Sequence, residues 1–246
     1  MINYQEFYRD FMLTERGQLA LAMYGTLSCT NNHRPSIVHL SDSYAITPRQ
    51  LLGDNELVLT NPSRTTFSIV PFYYLDILFE KNPQVTYDLG CGWNQFKNFY
   101  PGIVGIDSHD TSADIQARWN RQFLEQHQGT WDSFFSINMS WHLGPNGEAT
   151  TLDNFCQHID SLAQLLAPGG RAYIALSMLG LIHFTPKEWY ADQGIGPWPP
   201  GPLKQYIEQQ LSALPYKIIT MDVEADILHN MPDHDGEVRI IIESIL

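Results

Sequence analysis

Between residues 151 and 166 the apolar side chains Leu152, Phe155, Ile159, Leu162, Ala163 and Leu166 recur every three or four positions, which predicts a helix with one buried face. Ala167-Pro168-Gly169-Gly170 stops it, and the apolar-rich run 171–179 reads as a buried strand. The same two rhythms alternate upstream. Pro71 suits the first turn of a helix whose apolar face is Phe72, Leu75, Ile77, Leu78 and Phe79, ending at Lys81-Asn82-Pro83. Strands are expected at 84–89, at 102–106 ending on Asp107, and at 132–138, with a helix over 119–128. Downstream, 187–202 is too rich in aromatics, proline and glycine for a regular element. A helix then covers 203–214, and strands at 216–227 and 237–242 flank the turn-rich Pro232-Asp233-His234-Asp235-Gly236.

The first 65 residues are less regular. Positions 5–24 have helix-compatible spacing (Phe7, Phe11, Leu13, Leu19, Leu21, Met23), broken at Gly25. Positions 28–65 are rich in Asn, Ser, Thr and Pro, with short apolar runs at 37–40 and 57–59 that periodicity cannot divide between edge strand and ordered loop. The chain is therefore expected to consist of a partly helical N-terminal extension or cap, 1–65, and an α/β domain, 66–246. Strands alternating with helices imply a mostly parallel sheet, and the closing pair, joined without a helix, should be antiparallel.

Composition narrows the function. A chain of 246 residues, 43% apolar, can bury one sizeable core. Its 27 acidic and 14 basic residues leave a formal net charge of −13, a field that repels polyanions and disfavours nucleic acid as a partner. Cys29, Cys91 and Cys156 lie far apart and support neither a disulfide framework nor a structural zinc site. Asp233-His234-Asp235 reads as a polar hairpin turn rather than a metal site, so no metal is expected. No apolar run approaches the roughly 20 residues that span a bilayer, and the first residues lack the pattern of a secretory signal. The expectation is a cytoplasmic protein without a membrane partner; its oligomeric state has no signal in the sequence.

The chemistry concentrates where the 84–89 strand ends. In Tyr87-Asp88-Leu89-Gly90-Cys91-Gly92 two glycines let the chain turn tightly and let a ligand approach the backbone. Asp107, fifteen residues after Gly92 at the tip of the next strand, can accept hydrogen bonds from both hydroxyls of a ribose. Together these specify a nucleoside-bearing cofactor. A dinucleotide is disfavoured, because Gln95 stands where the fingerprint needs its third glycine. The stretch 94–98 is also too short to present a strong helix dipole to pyrophosphate. Asp88 would repel phosphate but suits an ammonium group. A ligand with an amino-acid tail, a ribose and no phosphate fits, and S-adenosylmethionine is such a ligand.

Tyr87-Asp88-Leu89-Gly90-Cys91-Gly92 resembles the first motif of class I S-adenosylmethionine-dependent methyltransferases, and Val104-Gly105-Ile106-Asp107-Ser108 is similar to their ribose-binding motif. Leu165-Leu166-Ala167-Pro168-Gly169-Gly170-Arg171 looks like the turn before their fifth strand. The resemblance covers residues 66–246 and implies a Rossmann-like, doubly wound sheet of seven strands with an antiparallel C-terminal strand. It further implies that Asp88, Gly90, Cys91 and Gly92 cradle the methionine moiety, that Asp107 binds the ribose and that Ser108 lies beside the adenine. The family's adenine-contacting acid maps to Asp114, followed by Ile115 on a very short strand. The run Asn138-Met139-Ser140-Trp141-His142 follows the fourth strand, where the family places cofactor, substrate and catalytic groups. It lacks the Pro-Pro motif of enzymes that methylate base amines.

Among these residues His142 is the candidate general base, since its reference pKa suits neutral pH. Trp141 and His142, with Trp189, Tyr190 and Trp198 of the irregular stretch, are candidate acceptor-pocket residues; a small satellite core explains those three aromatics as well. Cys91 has no flanking cation to make it a nucleophile. The sequence thus points to methyl transfer from S-adenosylmethionine to an oxygen or nitrogen of a small molecule or protein. A non-catalytic binding or assembly subunit with the same fold is the alternative.

Overall fold

The computed structural model of this protein describes residues 10, 11, 13–24, 27–30, 34–38, 66–68, 70–92, 94–108, 110, 112–137, 144–148, 150, 151, 154–177, 200–224 and 237–245. The chain forms two compact units, Met1–Glu80 and Lys81–Leu246.

In the first unit helix α1, Glu15–Tyr24, starts where Thr14 caps it, its Oγ1 accepting from the Gly17 N–H at 3.1 Å. The helix expected over 5–24 is therefore broken near Thr14. Strands β1 (Leu27–Thr30), β2 (Arg34–Val38) and β3 (Thr66–Ser68) make a small antiparallel sheet, so the run that begins at Ile37 belongs in part to a strand. The 57–59 run lies outside the described residues. Helix α2, Val70–Phe79, buries Phe72, Tyr74, Leu75 and Leu78, and Phe72 packs on Phe11 with ring centroids 4.7 Å apart.

The second unit is built on seven strands: β4 (Thr86–Leu89), β5 (Ile103–Asp107), β6 (Ile115–Gln116), β7 (Trp131–Ile137), β8 (Leu166–Ser177), β9 (Tyr216–Glu224) and β10 (Glu237–Ser244). Their order is β6-β5-β4-β7-β8-β10-β9. The first five pair in parallel, and β10 runs antiparallel to both β8 and β9. Chain order moves outward from β4 through β5 to β6, then returns to the other side of β4 at β7. That reversal is the switch point of a doubly wound sheet, where a crevice opens beyond the strand tips. The fold is Rossmann-like, as expected.

One sheet face carries the main core. Leu89, Ile106, Phe134, Ala172, Ile174, Leu176, Val238, Ile240 and Ile242 pack with side chains from α3 (Arg121–His127), α4 (Phe155–Ala163) and α5 (Pro200–Leu211). Tyr87 stacks on Trp131 at 4.3 Å on the same side. Alternate strand positions face the other way and are more polar. Thr86 and Ser133 share a buried hydrogen bond of 3.1 Å, and Arg239 is fully buried.

Three boundaries differ from the sequence expectation for local reasons. Helix α4 begins at Phe155 because Thr151 and Asn154 exchange bonds just before it: the Thr151 N–H donates to Asn154 Oδ1 at 2.7 Å, and the Asn154 N–H to Thr151 Oγ1 at 3.3 Å. The Pro168-Gly169-Gly170 turn does not precede β8 but bulges within it, since Leu166 pairs with Trp131 and Arg171 with Ser133. Helix α5 starts at Pro200, in the stretch expected to be irregular; its first turn needs no backbone donors, so the two prolines are tolerated there.

Candidate functional site

At the β4 tip the backbone turns through Gly90 and Gly92, with φ of 78° and 52°, values that strain any residue bearing a Cβ. The N–H groups of Gly90 and Cys91 both donate to the Ile106 carbonyl, at 2.8 and 3.1 Å, which pins the bend over the end of β5. The Gly92 N–H donates to Asp107 Oδ2 at 3.0 Å, and the Asp110 N–H to Asp107 Oδ1 at 3.1 Å. The Asp107 carboxylate is therefore turned toward the glycine bend, at the C-terminal tips of two adjacent parallel strands. Two backbone donors fix its orientation.

The electrostatics of the bend are acidic. Burial, then the carboxylates of Asp88, Asp107, Asp110 and Asp114, push the Cys91 thiol above its ordinary range. These surroundings disfavour the thiolate form. Asp88 is buried at the strand tip, and Ser108 is half-buried just beyond Asp107. A site of this charge repels phosphate and attracts a cation.

Asp114, which the resemblance maps to the adenine contact, is tied to neighbouring segments of the chain. It immediately precedes β6, and its backbone N–H donates to the Gly105 carbonyl at 2.9 Å. Its Oδ2 accepts from the Gly105 N–H and from Asn94 Nδ2, each at 2.9 Å, and its Oδ1 pairs with Lys97 Nζ. The Lys97 hydrogen bond, aided by that of Gly105, holds its carboxyl at about 2. Ile115 follows it and is exposed. Level with Asp107 across the β5–β6 pair is Gln116, not an acid.

The structure thus brings Asp88, Gly90, Cys91, Gly92, Asp107 and Ser108 together. Asn138, Trp141, His142, Trp189, Tyr190 and Trp198 lie outside the described residues. Two participants were missed from sequence, Asn94 and Gly105. An isolated glycine inside a strand pattern is itself a sign of close backbone approach, and Asn is the side chain that best tolerates a left-handed position after a glycine bend.

No protein-family model matches the chain, and no curated protein matches it in sequence. Several solved structures are similar to the chain at low identity. A SAM-dependent methyltransferase from Archaeoglobus fulgidus is 16% identical over 82% of this chain and 100% of its own, with a TM-score of 0.40. One from Anabaena variabilis is 17% identical over 72% and 83%, with a TM-score of 0.40. A 16S rRNA adenine methyltransferase from Catenulisporales acidiphilia, solved with SAM, is 13% identical over 74% and 94%, with a TM-score of 0.37. The fold itself rests on the strand order and on the antiparallel β10, a Rossmann-like, mostly parallel mixed sheet.

Proposed function

We propose that this protein is an S-adenosylmethionine-dependent methyltransferase that methylates an oxygen or nitrogen of a small molecule or a protein. One observation carries the reading: at the switch point of the sheet the Asp107 carboxylate is held against the Gly90–Gly92 bend by the Gly92 N–H. A sugar-binding acid and a bend open to ligand then border one crevice. Asp107 would accept from the ribose hydroxyls, the backbone of 90–92 would lie along the amino-acid tail, and Asp88 would attract its ammonium group. The acidic surroundings of Cys91 suit a ligand that also bears a sulfonium charge.

When bound, S-adenosylmethionine supplies an electrophilic methyl group on a positively charged sulfur. The protein's part is to align the acceptor in line with it and to keep water away. In this reading the segment 138–142 frames the acceptor, with Trp141 against it and His142 taking its proton. Asn138 borders the cofactor, and Trp189, Tyr190 and Trp198 wall the acceptor side. The acceptor panel should include RNA, because a net charge of −13 describes the whole chain and not its acceptor face.

Among the described residues no helix is long and apolar enough to cross a membrane, and no group of His, Cys, Asp or Glu is arranged to hold a metal ion. Calorimetry with S-adenosylmethionine and S-adenosylhomocysteine tests the proposal. Roughly micromolar binding is expected, and Asp107→Ala should weaken it about 100-fold or more, two charge-assisted bonds being lost. No heat with either ligand would overturn the reading in favour of a non-catalytic subunit. Binding without turnover on any acceptor would leave a sensor rather than an enzyme.

A further inference from the structure

The contacts of Asn94 carry one step beyond the proposed nucleoside site, on which they depend. Asn94 sits just past the glycine bend with φ 54° and ψ 39°, and its backbone N–H donates to the Cys91 carbonyl at 3.0 Å. Its side chain is buried, only 6% of the residue being exposed. Nδ2 donates to the Ser112 carbonyl at 3.3 Å and to Asp114 Oδ2 at 2.9 Å. The carboxamide also lies flat over Gly105: a Cβ placed there would fall 2.5 Å from its Cγ and 2.6 Å from both Nδ2 and Oδ1. Reversing the amide would turn its oxygen toward the Asp114 carboxylate, so the donor must face that way.

One amide therefore joins three segments: the glycine bend, the strand that ends in Asp107, and the crossover that leads to β6. In this chain the elements that would otherwise brace those segments are short. The turn after the bend is a four-residue 3-10 helix, Gln95–Asn98, and β6 has two residues. We infer that Asn94 is a positioning residue that fixes the spacing between the glycine bend and the Asp107 tip, with Asp114 serving this clasp rather than the adenine ring. Gly105 completes it, since any side chain there would displace the amide.

The test compares wild type, Asn94→Ala, Asn94→Asp and the double variant Asn94→Asp/Asp114→Asn by calorimetry with S-adenosylmethionine between pH 5 and 8. Urea midpoints confirm that each variant is folded. Asn94→Ala should bind at least tenfold more weakly. Asn94→Asp should be as weak at pH 7, where two carboxylates repel, and should recover as pH falls, because a shared proton lets one carboxyl donate as the amide did. The double variant keeps one amide and one carboxylate and should regain part of the lost affinity without the pH dependence, the Ser112 carbonyl having lost its donor.

Undiminished binding by Asn94→Ala and Asn94→Asp would overturn the clasp. So would an Asn94→Asp protein that stays weak at every pH together with an unrescued double variant, since that marks a general packing defect. Failure of the wild type itself to bind would instead strike at the nucleoside reading, and the clasp's role would fall with it.

Discussion

In the half of the sheet made by β8, β10 and β9 the strands run twelve, eight and nine residues; in the half made by β4, β5 and β6 they run four, five and two. Long ladders fix their own register, and their inward side chains are aliphatic: Ile174, Leu176, Val238, Ile240 and Ile242 are all buried. Two- to five-residue strands cannot hold three-dimensional order by pairing alone. Side chains supply the missing ties there, with Asp107 accepting from Gly92 and Asp110 and Asp114 accepting from Gly105 and Asn94. On the proposed nucleoside reading, stability and ligand geometry fall to opposite halves. A change in the long-strand half should lower stability with affinity intact, and a change among the short-strand ties should do the reverse.

The sharpest separation is expected at Ile240, wholly buried at the centre of β10. Ile240→Ala removes three methyl or methylene groups from a fully buried site, at a cost of about 2–5 kcal/mol. Urea unfolding should show that loss, while calorimetry on the folded protein gives an unchanged S-adenosylmethionine affinity. A large fall in affinity at full occupancy of the folded state would break the division between the halves.

An acid-dependent effect of smaller size is expected in α4, the helix that leads into β8. His158 is buried there, and neither ring nitrogen has a hydrogen-bond partner among the described residues. Burial lowers its pKa from 6.5 to about 4. Between those values the unfolded chain binds a proton that the folded protein excludes. Stability from this group is therefore intact above pH 6.5 and is lost as pH falls toward 4, by about 3 kcal/mol in all. His158→Leu, apolar and of similar volume, should flatten that part of the pH–stability curve. Equal slopes for wild type and variant would show that the imidazole is not excluded from protonation in the folded state.

His158 also illustrates what the sequence conceals. Its spacing, three after Phe155 and four before Leu162, puts it on the buried face of a helix plainly legible from its apolar neighbours. Reading polarity alone omits it, because a polar residue does not advertise its burial. Arg239 was hidden in the same way, inside a strand recognised from its aliphatics. In the short-strand half the legible features were residue identity and spacing: two glycines after a strand, then an acid at the next tip. Asp114 was assignable only by position along the chain. Its partners, the Gly105 N–H and the Asn94 amide, arrive through the fold, and no local pattern announces them.

The smallest effect is expected where an ion pair lies among the short-strand ties. Lys97 meets Asp114 at the rim, with side chains 47% and 30% exposed. Solvent screens such a pair, so Lys97→Met should change stability by less than about 1 kcal/mol at pH 7 and S-adenosylmethionine affinity by no more than about twofold. The carboxylate keeps its bonds from Gly105 and Asn94, which hold geometry by direction and not by charge. Its pKa should nevertheless climb from about 2 toward 3.8, because the Lys97 hydrogen bond is the largest cause of the depression. A carboxyl held low in the folded state stabilises above its unfolded pKa and loses that contribution as pH falls through its folded pKa; in the variant the contribution is smaller and its loss is complete at higher pH. Titration of the Asp114 carboxyl by NMR would follow the shift. A tenfold loss of affinity at pH 7 would mean that the lysine charge, and not the Asn94 amide, keeps the bend in register with Asp107.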